Sequence, residues 1–260
     1  MTVAAFPYDL VTLGQFPSGQ GWEAQLRSYI RQKYRQDLEG LVDLPPEDLA
    51  ACLGGRIIPE RPYDTIRWGL RLQPLRPLEL FFFFNVDPEF GTDLRVLYGR
   101  PSLAVPTEDA YVFAWDFIAL LARYGRRALP LSISSPGQTW ISLAALGARH
   151  QSDLERFTLQ GRQEVLGRLS PAVAEAACWR LGCGHSQTTD RGWAILWHVL
   201  PDLLLRVGWD GQHLEVAFEE VGVEKYGAEF LISFAWLYLN GLLRQARQID
   251  ASLPQLSAYF

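Results

Sequence analysis

The sequence predicts an α+β fold made of an internally duplicated unit. Each unit is two helices, a three-stranded antiparallel meander and a closing helix, and the two copies are expected to pack as a pseudo-symmetric pair. Three observations carry this expectation. The segment PLELFFFFNVDPEFGTDLRVLY, Pro77 to Tyr98, is echoed by PDLLLRVGWDGQHLEVAF, Pro201 to Phe218, and each precedes a long apolar helix pattern. Upstream, PPEDLAACLGG from Pro45 answers SPAVAEAACWRLG from Ser170 and sets Cys52 opposite Cys178. Still further upstream, Leu26, Tyr29, Leu38 and Leu41 match Leu154, Phe157, Leu166 and Leu169 at one constant offset. The order implies a repeat of roughly 120 residues. A linker rich in Ser, Pro and Gly places the boundary near residue 137, giving a first repeat over 1–137 and a second, diverged repeat with a C-terminal extension over 138–260.

The elements follow in order. Trp22 to Val42 has apolar residues at helical spacing, with Arg27, Arg31, Lys33 and Arg35 on the wet side. Pro46 to Leu53 is a short helix, started by proline and stopped by Gly54-Gly55. Strands are expected over Thr65 to Leu72, Leu78 to Asn85 and Leu94 to Tyr98. The run Phe81 to Phe84 has no alternation, so its strand should be covered on both faces. Glu108 to Tyr124 closes the unit, with Thr107 as N-cap and Gly125 as stop. The second copy repeats this with helices over Ser152 to Arg168 and Pro171 to Leu181, strands over Gly192 to His198, Leu203 to Trp209 and His213 to Glu219, and a helix from Gly227 to Arg247.

Composition narrows the function classes. At 260 residues and 48% hydrophobic content the chain buries a sizeable core without disulfides or structural metal. A net charge of −5 offers little to a phosphate backbone, so nucleic acid is not an expected partner. The apolar tracts fall short of the roughly 18 residues of a spanning helix, so an integral membrane protein is not expected. The odd count of 3 cysteines and the start MTVAAFPYDL point to the cytoplasm rather than to secretion. The aromatic content, 9 Trp, 10 Tyr and 14 Phe, calls for wide aromatic packing in the core or at a protein contact.

Candidates for chemistry are few. Cys178, Cys183, His185 and His198 combine soft sulfur and imidazole donors that suit zinc, although the spacing is irregular and Cys178 also reads as a small core residue; no cofactor is otherwise predicted. Asp87 and Glu89 stand two apart after the phenylalanine strand and form a carboxylate pair, while Asp87 and its counterpart Asp210 equally suit tight turns. Arg76, between Pro74 and Pro77, could reach a carboxylate at the sheet edge or on a partner. Neither a Gly-x-Ser-x-Gly elbow nor a phosphate loop is present in the sequence.

The segments TLGQFPSGQGWEAQLRSYIRQKY, LAACLGG, PLRPLELFFFFNVDPEF and LRVLYGRPSLAVPTED resemble the closing portion of a bacterial domain family of unknown function, catalogue number 3786, over about residues 12–124. The resemblance directs attention to Asp87, Glu89 and Phe90, with Arg76 and Pro77 before them, and implies no activity. The second copy departs from the pattern, with Gly211 and Gln212 in place of the proline-glutamate step.

The favoured expectation is a non-catalytic protein-interaction or assembly/accessory protein, with a protein partner anchored by the excess aromatics and Phe90. The alternative is an enzyme or small-ligand-binding protein with an acidic cleft between the copies, lined by Arg76, Asp87 and Glu89, with His185 or His198 as a further candidate. Internal pseudo-symmetry favours a monomer.

Overall fold

A computed structural model describes residues 6–60, 65–135, 137, 139–150, 162–182, 185–189 and 192–255. Two compact units divide the chain, Met1–Ile133 and Ser134–Phe260, four residues before the boundary expected at 137. Each holds a five-stranded antiparallel sheet together with helices, an α+β architecture.

In the first unit, β1 (Leu10–Val11) leads through a 3-10 turn (Leu13–Gln15) into α1 (Gly19–Tyr29). The helical path continues as a π-turn (Ile30–Tyr34), α2 (Arg35–Glu39) and a 3-10 turn (Gly40–Asp43). The apolar periodicity of Trp22 to Val42 therefore marks one helical run, but the run carries an extra residue at its middle. α3 (Pro46–Leu53) matches its expected bounds and ends on Gly54 at φ 68°, a left-handed position that suits glycine. β2 (Arg56–Ile58), β3 (Ile66–Leu72), β4 (Leu80–Asp87) and β5 (Gly91–Gly99) follow, and α4 (Thr107–Gly125) closes the unit. Thr107 is not the N-cap; Pro106 is, and the Thr107 hydroxyl instead donates to the Pro17 carbonyl at 2.7 Å.

The sheet order is β1-β5-β4-β3-β2, so the expected meander forms its centre and two short strands flank it. All four phenylalanines of β4 are at most 1% exposed. Phe82 meets Phe117 of α4 on one face. On the other face Phe81 and Phe83 are met by Tyr8 and Phe6 from the segment before β1. A fully buried Phe contributes roughly 1.5–3 kcal/mol, so this strand accounts for much of the unit's cohesion.

The helical run crosses the end of α4 at backbone contact. A Cβ on Gly125 would stand 2.0 Å from the Asp37 carbonyl oxygen, and a Cβ on Gly40 would stand 2.1 Å from the Gly125 oxygen. Gly125 is thus needed for approach as much as for stopping the helix, and Arg126 reinforces the crossing through an ion pair to Asp37 at 3.1 Å.

The second unit contains β6 (Trp140–Ser142), α5 (Leu143–His150), α6 (Gln163–Leu166), α7 (Pro171–Leu181), β7 (His185–Thr189), β8 (Gly192–Leu200), β9 (Leu203–Trp209), β10 (Leu214–Glu219), α8 (Glu220–Tyr226) and α9 (Ala228–Ile249). Its sheet order, β6-β10-β9-β8-β7, repeats that of the first unit strand for strand. Cys52 and Cys178 are both buried, on α3 and α7, and α7 ends on Gly182 at φ 76°, as α3 ends on Gly54. Leu38, Leu41, Leu166 and Leu169 are all buried, while Leu154 and Phe157 lie outside the described residues, as does most of the helix expected over Ser152 to Arg168.

Gly125→Ala should cost about 3 kcal/mol, the upper range for overpacking, because both sides of the contact are backbone. Gly21→Ala, at a position in α1 with nothing within 4 Å of a new Cβ, should instead stabilise by about 0.5–1 kcal/mol. Urea unfolding of the two variants checks the contrast.

Candidate functional site

The site grows from an incomplete sheet edge. β1 pairs with β5 only through Leu10 opposite Gly99 and Val11 opposite Tyr98, after which the chain turns away at Thr12. β4, on the other side, pairs with β5 along its whole length from Tyr98 to Gly91. The Gly99 N–H donates to the Glu79 carbonyl at 3.1 Å, toward β4, whereas the Arg100 N–H donates to Asp9 at 3.0 Å, toward β1. Backbone groups alternate sides in an antiparallel ladder, so Thr92, Leu94 and Val96 direct their N–H and C=O groups away from β4. Among the described residues no strand receives them.

A cavity of about 800 Å³ lies along this edge. Asp93, Leu94, Arg95, Val96 and Leu97 line it from both faces of β5, and Leu13, Leu26, Arg27, Ile30 and Arg31 form the helical wall. A second recess of about 380 Å³ sits at the hairpin end, sharing Ile30, Arg31, Asp93, Leu94 and Arg95 with the first and adding Arg35, Asn85, Asp87, Phe90 and Thr92. The two form one groove between the edge of β5 and the π-turn. π-turns often occur at functional sites, and this one supplies Ile30 and Arg31 to both parts of the groove.

The polar groups of the recess are unequally engaged. Arg35 donates to the Phe90 carbonyl at 3.4 Å and stands 3.7 Å from Glu39, and Arg95 stands 3.6 Å from Asp93. Arg31 makes no ion pair among the described residues. Asn85 Oδ1 and Thr92 Oγ1 are buried without a hydrogen-bond partner among the described residues. An unsatisfied amide oxygen and an unsatisfied hydroxyl in a recess lined by three guanidinium groups and by the carboxylates of Asp87 and Asp93 suit a ligand that carries both donors and negative charge. At the opposite end Glu23 ties the wall to the sheet, accepting from the Thr12 hydroxyl at 2.8 Å, from the Gly14 N–H at 2.7 Å and from Arg27.

The sequence candidates separate on this frame. Asp87 and Phe90 line the recess. Asp87 Oδ1 accepts from the N–H groups of Glu89 and Phe90 at 2.8 and 3.0 Å, and Asp210 accepts from Gln212 and His213 at 2.7 Å each, so both aspartates make the tight turn expected of them. These hydrogen bonds, from His213 first and then Gln212, hold the Asp210 carboxyl below its usual range. Glu89 is exposed and faces neither cavity. Arg76 is exposed in the β3–β4 connection, and the eight residues of β4 put it about 26 Å from the Asp87 turn. The structure therefore does not bring Arg76 together with Asp87 and Glu89.

Among the described residues the metal candidates do not form a ligand set. Cys178 is disulfide-bonded, which withdraws its thiolate from any ligand set, and its Sγ lies 3.9 Å from the His185 carbonyl oxygen. Cys183 lies outside the described residues. His185 and His198 are exposed on the neighbouring strands β7 and β8, and no group of three metal-ligating side chains forms among the described residues. Disulfides persist mainly in oxidising compartments, so Cys178 also weakens the case that an odd cysteine count makes for the cytoplasm. No helix among the described residues is long and apolar enough to cross a membrane.

Sequence reasoning missed the groove because its key feature is the absence of a neighbour to β5, which no residue pattern encodes. It also read Arg27, Arg31 and Arg35 as a solvated face; their spacing of four was the available sign of a basic stripe on one side of the helical run. Among the described residues, Trp68, Trp193 and Trp197 are buried, and the exposed large aromatics are Phe90 at 77% and Trp179 at 69%.

A buried polar cluster in the second unit was also not foreseen. Asp202 accepts from Lys225 at 2.8 Å, from the Tyr226 hydroxyl at 2.6 Å and from the Ser134 N–H at 3.2 Å. Burial opposes its charge, but these bonds outweigh burial and hold the carboxyl below its usual range. Glu219 is fully buried, and neither carboxyl oxygen is hydrogen-bonded among the described residues; burial first, and then the charge of Asp202, push its carboxyl up.

No protein-family model, no curated protein and no solved structure matches this chain.

Because the folded state raises the Glu219 pKa, its protonated form favours folding, a contribution present in full below the unfolded value near 4.5 and lost as pH rises toward the folded value. Glu219→Met should therefore stabilise the protein by about 1–3 kcal/mol at pH 7.5, the desolvation cost it removes, and by clearly less at pH 4. Urea denaturation at the two pH values checks the sign.

Proposed function

We propose that this chain is a non-catalytic protein-interaction protein, with an assembly or accessory role, whose first unit holds a segment of a partner in the groove beside β5. The observation that carries the reading is the continuity of the groove. The first part is lined by the buried Leu26, Ile30 and Leu94, the recess shares Ile30 and Leu94 with it and carries Arg31, Arg35 and Arg95 against Asp87 and Asp93, and Phe90, 77% exposed, lines the recess. An aromatic side chain beside a pocket is the usual form of a binding anchor. On this reading recognition takes place in a groove rather than at the wide aromatic contact that composition suggests. We also read the shared strand order of the two units as an internal duplication in which the first unit carries the binding role.

One observation favours a second reading. The recess of about 380 Å³, with Arg31, Arg35 and Arg95 around Asn85 and Thr92, is also of a size and polarity that suits a small anion.

Panning the full chain against a displayed library of random dodecapeptides tests the proposal. Selected peptides should lose about tenfold or more in affinity for Phe90→Ala and for Leu97→Asp, with Trp179→Ala unchanged and melting temperatures comparable. Failure to enrich any peptide, or affinities indifferent to both groove variants, would contradict it.

A further inference from the structure

We infer that the partner segment is an extended acidic peptide that adds to the first sheet as a strand on the free edge of β5. The inference rests on the protein-binding role proposed above and specifies the partner. Strand addition needs an edge with outward backbone groups, a channel as wide as a strand and a reason for one register. The edge and the register are present, and cavity space lies beside the edge. Thr92, Leu94 and Val96 direct their N–H and C=O groups away from β4; Leu94 and Val96 line the cavity of about 800 Å³, and Thr92 and Leu94 line the recess of about 380 Å³. β1 occupies the same row opposite Tyr98 and Gly99 and leaves it at Thr12, so a peptide running in the direction of β1 continues an antiparallel row that the protein itself has begun.

Direction and charge agree. A strand continuing from β1 runs from Leu97 toward Thr92 and ends in the recess of Arg31, Arg35 and Arg95. Its C-terminal end therefore meets Arg31, Arg35 and Arg95, which outnumber Asp87 and Asp93 in the same recess, and Arg31 has no ion pair among the described residues. A C-terminal carboxylate, or an acidic side chain close to it, supplies the missing charge, and Arg binds carboxylates with directional paired hydrogen bonds. The apolar side chains of alternate peptide residues would lie against Leu26 and Ile30.

The test uses the full chain and the peptides selected above, resynthesised in three forms: unmodified, N-methylated at alternate backbone amides, and with acidic residues replaced by lysine. The unmodified peptides are expected to slow amide exchange at Thr92, Leu94 and Val96. N-methylation on the edge-facing side should weaken binding by about tenfold or more, as should the lysine forms and Arg31→Ala. Val96→Pro, which removes an outward N–H without touching the β4 ladder, should do the same; the N-methylated peptides give the same information if that variant does not fold. Peptides that need Phe90 and Leu97 yet tolerate N-methylation and leave the edge amides unprotected would overturn strand addition while leaving the protein-binding role intact. Selection of peptides without acidic residues would overturn the charge assignment. Protection of the edge amides on raising the concentration of the protein alone would make a second copy the occupant and overturn the inference.

Discussion

The first unit depends on covering β4 on both faces. A strand of four consecutive phenylalanines cannot lie at the surface of a two-layer fold, and the chain answers with α4 on one face and the segment Phe6 to Tyr8 on the other. That segment reaches the sheet as β1, and its hydrogen bonding is short because the same stretch must also start the helical run. At Thr12 the chain leaves the sheet, and Glu23 of α1 fixes it there through Thr12 and Gly14. The unpaired length of β5 follows from these two demands on one short segment.

The helical run completes the groove. Gly40 and Gly125 let it touch the end of α4 at backbone distance, which pins its C-terminal half close to the sheet. Glu23 pins its N-terminal half to the β1 loop. Between these fixed points the helix takes an extra residue as a π-turn, and the π-turn brings Arg31 and Ile30 to the open edge. A basic, partly apolar wall thus faces the outward amides of β5. The second unit has the same sheet order, and it places a different feature under its linker: a carboxylate satisfied by Lys225 and Tyr226 beside one, Glu219, that has no hydrogen-bond partner among the described residues.

Much of the fold was legible from sequence because its signals are local. Pro46 and Gly54 bracket α3, the phenylalanine run identifies the central strand, and Cys52 and Cys178 occupy matching helices. The short strands β1, β2, β6 and β7 were not legible, since two to five residues carry too little periodicity to read. The site was legible only in part. Asp87 and Phe90 lie at the recess, but Asp87 acts on its own turn, Glu89 of that turn lines neither cavity, and the length of β4 separates Arg76 from it. Arg31, Arg35, Asn85 and Thr92 come together only through the packing of a helix against a strand far along the chain, and the disulfide at Cys178 removes what looked like a metal ligand.

The central claim is that β5 presents an open edge, and residue-resolved amide hydrogen exchange of the protein without added peptide tests it most directly. Asp93, Arg95 and Leu97, whose amides face β4, should exchange slowly, and Thr92, Leu94 and Val96, facing the groove, should exchange faster by at least about two orders of magnitude. Uniform slow exchange from Thr92 to Leu97 would show that the edge is already paired and would contradict the account.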